Sequence, residues 1–467
     1  MILALAATLA IVVQDHAALR AAPSSGATEL ATLWQGDVLE VRGERPGYLK
    51  VYDYRRERGG YLKSEAARSI GLTEAEAPAL LAVLRFLRDS PGAEALGVSY
   101  GAAYLKAVPT PSLTAEPFDA IALMAERLAD EASGRGYRLT EVAAHMEVME
   151  QFGVHMRSFE RNGRMQVCYE GELYRRVLGL RGASPEERVH AALGLTRPDC
   201  IDPSLGPALR ASLDDLRREL LDRIDERELS ALTRSRLHVR RATLWASIAF
   251  EQARRREPPG AAAQRALTEL LAVRADDLGE DHRAEYQDAL VRVSAIRWAA
   301  VTPAPQSGAL TLTTAAGDPG ETCVTLRQTQ ERRETPLVRR CTYGIVWIAS
   351  AKSIAKAKAL VLAVQPMESW RELWVFHENA GAWTIDVLSP GLDDPEEGYV
   401  EFAGFAPAAR RLLVAREVKE RGRFRRRFEE LRLDDLALVR QASAPELLRD
   451  FGSWQDMDWR RDTLALR

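Results

Sequence analysis

Cysteine is scarce in this chain of 467 residues: Cys168, Cys200, Cys323 and Cys341 are the only four, and none stands in a Cys-x-x-Cys pair. That spacing removes the common zinc and thioredoxin-like dithiol chemistries. None of the seven histidines forms a His-Glu-x-x-His pair, so the helical metalloprotease signature is missing and no metal or other cofactor is expected. Charge of one sign is lacking too. A formal net charge of -3 gives no global attraction to nucleic acid or to an anionic membrane surface. No apolar run reaches the roughly 20 residues that an integral membrane span requires. Asn is almost absent and Arg far outnumbers Lys, which reflects a GC-rich genome more than a function.

What is present fits a folded multidomain protein. Apolar residues make up 46% and charged residues 28%, ordinary values for globular chains, and the length allows two to four domains. The expected fold class is multidomain α+β. Its parts are an apolar start at 1–10, a small β-module at 11–70, a helical domain at 72–300, a linker at 301–308, an antiparallel β-domain at 309–444 and a tail at 445–467. The start, MILALAATLA, reads as the back half of a secretory signal without its basic region. A periplasmic or extracellular protein is then expected; the other reading is the first strand of a cytoplasmic one.

The helical domain announces itself by caps and spacing. Thr73–Glu76 and Ser184–Glu187 both fit a capping box. Leu209, Leu213, Leu216, Leu220 and Ile224 trace one stripe of an amphipathic helix. Within this domain Asn162-Gly163 predicts a type I′ hairpin over 154–169, with Met156 facing Tyr169, Ser158 facing Val167 and Cys168 opposite Arg157. After the Pro-rich linker, nine short apolar segments between Leu310 and Leu433 predict antiparallel strands. Too few repeats fit for a closed propeller.

An even cysteine count permits two disulfides, in three connectivities. Sequence-local pairing, Cys168 with Cys200 and Cys323 with Cys341, is the natural expectation; four buried thiols is the other. Cys323 and Cys341 are equidistant from Arg332, so an odd loop centred there would oppose them on adjacent strands. Pro336 lacks a ladder donor, so its strand should be an edge or pair poorly at that point.

Between Ile11 and Ser64, Leu19-Arg20-Ala21-Ala22-Pro23, Gly36, Val38 and Val41, Tyr48-x-Lys50-Val51 and Gly60-Tyr61-Leu62 follow in that order. This module resembles the bacterial SH3 (SH3b) domain, with Ala22 in place of the usual Gly and tyrosines where Trp is common. The resemblance implies a small β-barrel in an envelope protein and no reaction. Trp34, Tyr48, Tyr52, Tyr54 and Tyr61 are its candidate ligand-binding residues, since such rings offer broad amphipathic contact; a purely structural role is the alternative. The expected function is non-enzymatic binding of peptidoglycan or of an envelope protein. The rivals are a cell-wall hydrolase, or a scaffold without a ligand.

Other motifs carry less. Gly97-Val98-Ser99-Tyr100-Gly101 matches a nucleophile elbow, but its surroundings read as helix, where the glycines let helices approach. His145, Glu147, Glu150 and His155 are dense in potential ligands but do not share a helix face. The acidic loop 393–397 reads as a solvated turn. The basic segment Arg421–Phe428, flanked by Glu417, Glu420, Glu429 and Glu430, reads as a charged edge hairpin more than as a single-strand binder.

Overall fold

The computed structural model describes residues 8–134, 139–303, 309–330, 333–354, 358–379, 381–391, 397–408 and 410–462. Most of the signal-like start, most of the linker and the acidic residues 393–396 lie outside them. The chain forms two compact units, Met1–Leu209 with Glu219–Leu229, and Arg210–Arg218 with Ser230–Arg467.

The first unit opens with seven strands: β1 (Leu9–Val12), β2 (Ala17–Arg20), β3 (Glu29–Leu33), β4 (Val38–Arg45), β5 (Tyr48–Asp53), β6 (Arg58–Lys63) and β7 (Ala67–Ile70). They form one antiparallel sheet in the order β3-β2-β6-β5-β4-β1-β7. The barrel expected of an SH3b-like module is not formed. β3 and β7 stand at opposite edges and do not pair, so the sheet is open. Alternation still works as expected, sending Val12, Leu19, Leu33, Leu39, Val51 and Leu62 into one core. β1 includes Leu9 and Ala10, and Ala10 is fully buried, so the end of the signal-like run is built into the sheet. On the opposite side, Ile11 packs against helices α1 (Ala77–Arg88) and α2 (Glu94–Ala107).

Helices α3 (Glu116–Ser133) and α4 (Leu139–Glu150) follow, then a hairpin of β8 (Met156–Arg161) and β9 (Arg164–Tyr169). Its register is the expected one, Met156 opposite Tyr169 and Arg157 opposite Cys168. Asn162 and Gly163 take positive φ, 51° and 70°, as a type I′ turn requires. Helices α5 (Glu172–Gly179) and α6 (Pro185–Leu195) complete the run, and Cys168 is bonded to Cys200 beyond α6.

Helix α7 (Pro207–Asp222) is divided between the units. Its inward face differs from the predicted leucine stripe: Asp214, Arg217 and Leu221 are buried, while Leu209 and Leu216 are 64% and 59% exposed. Burial of the charged pair is possible because Arg217 donates to Asp214 at 2.9 Å and Arg210 to Asp214 at 3.0 Å. Hydrophobic spacing alone carries no trace of such a pair.

The second unit has three further helices, α8 (Ala231–Arg254), α9 (Gly260–Ala272) and α10 (Glu280–Ile296), packed through Ala242, Ala246, Ala263, Ala266 and Val293. A three-stranded sheet follows: β10 (Leu310–Ala316), β11 (Thr322–Gln330) and β12 (Arg333–Thr342). An eight-stranded sheet comprises β13 (Ile345–Ile354), β14 (Ala359–Met367), β15 (Trp370–Asn379), β16 (Ala382–Leu388), β17 (Gly398–Ala406), β18 (Arg411–Glu420), β19 (Arg423–Arg432) and β20 (Leu438–Ala442). Leu360, Leu362, Trp374 and Phe376 of this sheet pack onto Leu310, Leu312, Val324 and Leu326 of the smaller one, giving a sandwich. Two short helices, α11 (Arg449–Trp454) and α12 (Met457–Asp462), close the chain.

Cys323 and Cys341 are directly paired across β11 and β12 and are disulfide-bonded. The route differs from an odd loop centred on Arg332. Gln330 pairs with Arg333, and the one-residue offset is absorbed by a bulge where Arg327 faces Pro336 and Leu326 faces Val338. β12 is an edge strand, which suits a proline that has no N–H to donate.

Candidate functional site: the outer face of the N-terminal sheet

Alternation along β5 buries Leu49, Val51 and Asp53 and turns Tyr48, Lys50 and Tyr52 outward. On β6, Gly60 and Leu62 are buried, while Tyr61 and Lys63 face out. Register then interleaves rings and cations: Tyr48 opposes Lys63, and Lys50 opposes Tyr61, which also faces Arg20 of β2. Tyr52 stands between Glu40 and Gly59.

The most organised part of this face surrounds Tyr52. The Arg42 guanidinium lies 3.9 Å from the centre of its ring, a cation–π contact. Tyr54, 65% exposed, meets Tyr52 edge-on with centroids 4.9 Å apart. The Tyr54 hydroxyl donates to Glu40 at 3.0 Å, and Arg42 Nε donates to the same carboxylate at 2.7 Å. Those two donors, Arg42 first, hold the Glu40 carboxyl below its usual range. The face therefore offers flat rings held in place beside fixed cations. It suits a ligand carrying both ring faces and carboxylates.

Trp34 does not join the four tyrosines. It is half-buried beside His16, at 4.4 Å, and edge-on to His145 at 6.3 Å. His145, buried on α4, hydrogen-bonds Asp15 at 2.8 Å. Burial pushes the Asp15 carboxyl up, but hydrogen bonds from His145 and Gln35 outweigh it and keep it low. This pair was not legible in the sequence, because its members are 130 positions apart.

The remaining motifs resolve into structure. Ser99 is buried within α2 and donates to the carbonyls of Gly36, at 2.6 Å, and Ala95, at 3.1 Å. A Cβ on Gly97 would lie 2.3 Å from Met124 Sδ, and one on Gly101 2.6 Å from Ile121. These glycines serve the close approach of α2 to α3. His145, Glu147 and His155 part company, Glu147 pairing with Arg55 and His155 with Glu172. Among the described residues, Glu321, Cys323 and Cys341 are close enough to hold an ion. Both sulfurs are spent in the disulfide, so no thiolate is offered there. Glu397 is held by Arg292 at 2.6 Å and Lys419 at 3.2 Å. In the basic segment Arg425 and Arg427 both pair with Glu420. β20 pairs only with Phe428–Leu431, so Arg423–Arg427 run along an open, charged edge.

In comparisons with known proteins the chain matches no family model, no curated protein and no solved structure. The SH3b resemblance of Ile11–Ser64 therefore does not extend to family membership, in keeping with the open sheet. Short runs such as Gly-Tyr-Leu fix alternation within strands; they do not fix whether the outer strands meet.

Proposed function

We propose that this is a non-enzymatic binding protein of the cell envelope, whose N-terminal sheet holds peptidoglycan on its outer tyrosine face. The observation that carries the reading is the interleaving of Tyr48, Tyr52 and Tyr61 with Lys50, Lys63, Arg20 and Arg42 on one face. Tyrosine rings stack on sugar faces at low entropic cost, and Lys50 and Arg20 are placed to pair with the carboxylates of wall peptides, while Arg42 and Lys63 are engaged by Glu40 and Glu65. An oxidising compartment is supported by the two disulfides, which use all four cysteines. No helix among the described residues is long and apolar enough to cross a membrane.

The test is co-sedimentation of the full chain with purified peptidoglycan. Tyr52→Ala with Tyr54→Ala should weaken binding about tenfold, in proportion to the loss of two aromatic contacts, and Lys50→Glu should weaken it in a salt-dependent way. Absence of sedimentation, or variants that bind like the parent, would overturn the reading. Capture of an envelope protein with no affinity for the wall polymer would move the same face to a protein partner.

A further inference from the structure

The two disulfides stand in different surroundings, and the difference gives one of them chemistry. Val324 and Leu326 of β11 enter the core of the sandwich, so alternation puts Cys323 and Thr325 on the opposite face of the three-stranded sheet. Register brings Thr313 of β10 and Arg339 and Cys341 of β12 to that same face, where Thr313 and Arg339 are exposed. Cys323–Cys341 therefore lies outside the core, on the solvent side, and ties down an edge strand. The ladder of that strand is already interrupted where Arg327 faces Pro336.

Its two sulfurs are not equivalent. Cys323 is 1% exposed, and a Cβ on Gly317 would lie 2.9 Å from its Sγ, so the chain after β10 covers it. Cys341 is partly exposed on the edge strand. Arg339, two residues before Cys341, donates from Nη2 to Cys323 Sγ at 3.0 Å. A neutral sulfur is a weak acceptor; a thiolate is a strong one, and a guanidinium beside it stabilises the charge. Glu321 acts against this, with Oε2 at 3.9 Å from the same sulfur. That oxygen already accepts from the backbone N–H of Asp318 at 3.1 Å, and the cation is the nearer charge. At Cys168–Cys200 the neighbours are neutral or spent: Gln166 Nε2 donates to Cys168 Sγ at 3.9 Å, and Arg157 donates to the Cys200 carbonyl oxygen.

We propose that Cys323–Cys341 is a thiol-exchangeable disulfide, a redox-sensitive clamp on β12, and that Cys168–Cys200 is a static one. An external dithiol attacks Cys341 Sγ through one thiolate. The new S–S bond forms as the Cys323–Cys341 bond breaks, and the electron pair leaves on Cys323, beside Arg339. The second thiol of the reagent then displaces Cys341. The cysteines gain two electrons and two protons from the dithiol, which departs as its own disulfide. Opening leaves β12 held to β11 by its interrupted ladder.

The test is exchange of the folded full chain with dithiothreitol, stopped at intervals by alkylation, with mass mapping of each cysteine. Cys323–Cys341 should open at least about tenfold faster than Cys168–Cys200, the effect of one hydrogen bond to a charged leaving sulfur. Arg339→Ala should slow the first rate about tenfold and leave the second unchanged. Glu321→Gln, which removes the opposing charge, should raise the first rate. Brief treatment with glutathione, then rapid alkylation, should leave the adduct on Cys341. The proposal is overturned if both disulfides open at equal rates, if Arg339→Ala opens like the parent, if Glu321→Gln slows opening, or if the adduct sits on Cys323.

Discussion

Two buried carboxylate sites, one in each unit, differ in what their partners can reach. In the N-terminal sheet Asp37 and Asp53 are buried, but Arg56, which pairs with both at 3.2 and 2.7 Å, keeps 22% of its side chain in solvent. In the eight-stranded sheet Glu401 and Arg371 are both sealed, at 2% and 0%. A partly exposed cation swings to water when its partner is lost. A sealed one is left as an uncompensated charge. On that argument the strength of a pair should follow the access of the base and not the burial of the acid alone.

The sharpest way to break this comparison is Glu401→Gln, which leaves Arg297 and Arg371 facing a neutral amide. It should cost about 3–5 kcal/mol in urea unfolding, whereas Asp53→Asn should cost about 1–3 kcal/mol. Equal losses would show that the access of the base is irrelevant. Next in size are the disulfides. Removing Cys168–Cys200, at a separation of 32 residues, should destabilise the first unit by about 3.5 kcal/mol in the chain-entropy treatment. Removing Cys323–Cys341, separated by 18, should cost the second about 3 kcal/mol. Each loss should appear in its own unit's transition, which limited proteolysis of the two units reports.

Dependence on pH separates the units further. In the second, burial pushes Glu417 up to about 7, and burial together with the Glu397 carboxylate does the same to Asp288. Folded protein then holds these protons to a higher pH than unfolded chain, so their contribution is complete below about pH 4 and is lost as pH rises towards 7. His282, held below its ordinary range by burial, acts in the opposite sense. Thermal unfolding at pH 5 and pH 8 should show the second unit more stable at pH 5, and Glu417→Gln should flatten that slope. An unchanged slope would remove Glu417 from the account. The smallest effect belongs to Tyr54→Ala, which should alter stability by no more than about 0.5 kcal/mol because the ring is mostly in solvent. A larger loss would make that ring structural.

Much of the local structure could be read from residues. Asn162-Gly163 specified its hairpin because only φ-positive residues fit that turn, and Ser184-Pro185-Glu186-Glu187 did the same for the start of α6. Eight of the nine apolar segments in the β-domain lie wholly within strands, and the ninth, ending at Leu433, runs one residue past β19. β12 is not among the apolar segments, because Arg333-Glu334-Thr335-Pro336 lacks apolar alternation; it was legible only through the opposition of Cys323 and Cys341, and its register depends on a bulge. Of the candidate site, the outward placement of Tyr52 and Tyr54 was legible from alternation with Val51. The separation of Trp34 from the tyrosines was not, since Asp15 and His145 decide it from far along the chain.

The two-residue parallel seam between β15 and β17, Trp370 with Gly398 and Arg371 with Tyr399, bears on how the eight-stranded sheet assembles. On either side of it, β13–β16 and β17–β20 are meanders in which each strand pairs with its sequence neighbour. Such local pairings close early, because little chain entropy is lost in forming them. The seam joins strands whose partners are already fixed, so it should close last and carry the slow step of refolding. Trp370→Ala, which loosens the β15 side of the seam, should then slow the final phase and leave the earlier ones untouched. Stopped-flow refolding in which Trp370→Ala slows the first phase instead would place the seam in the nucleus.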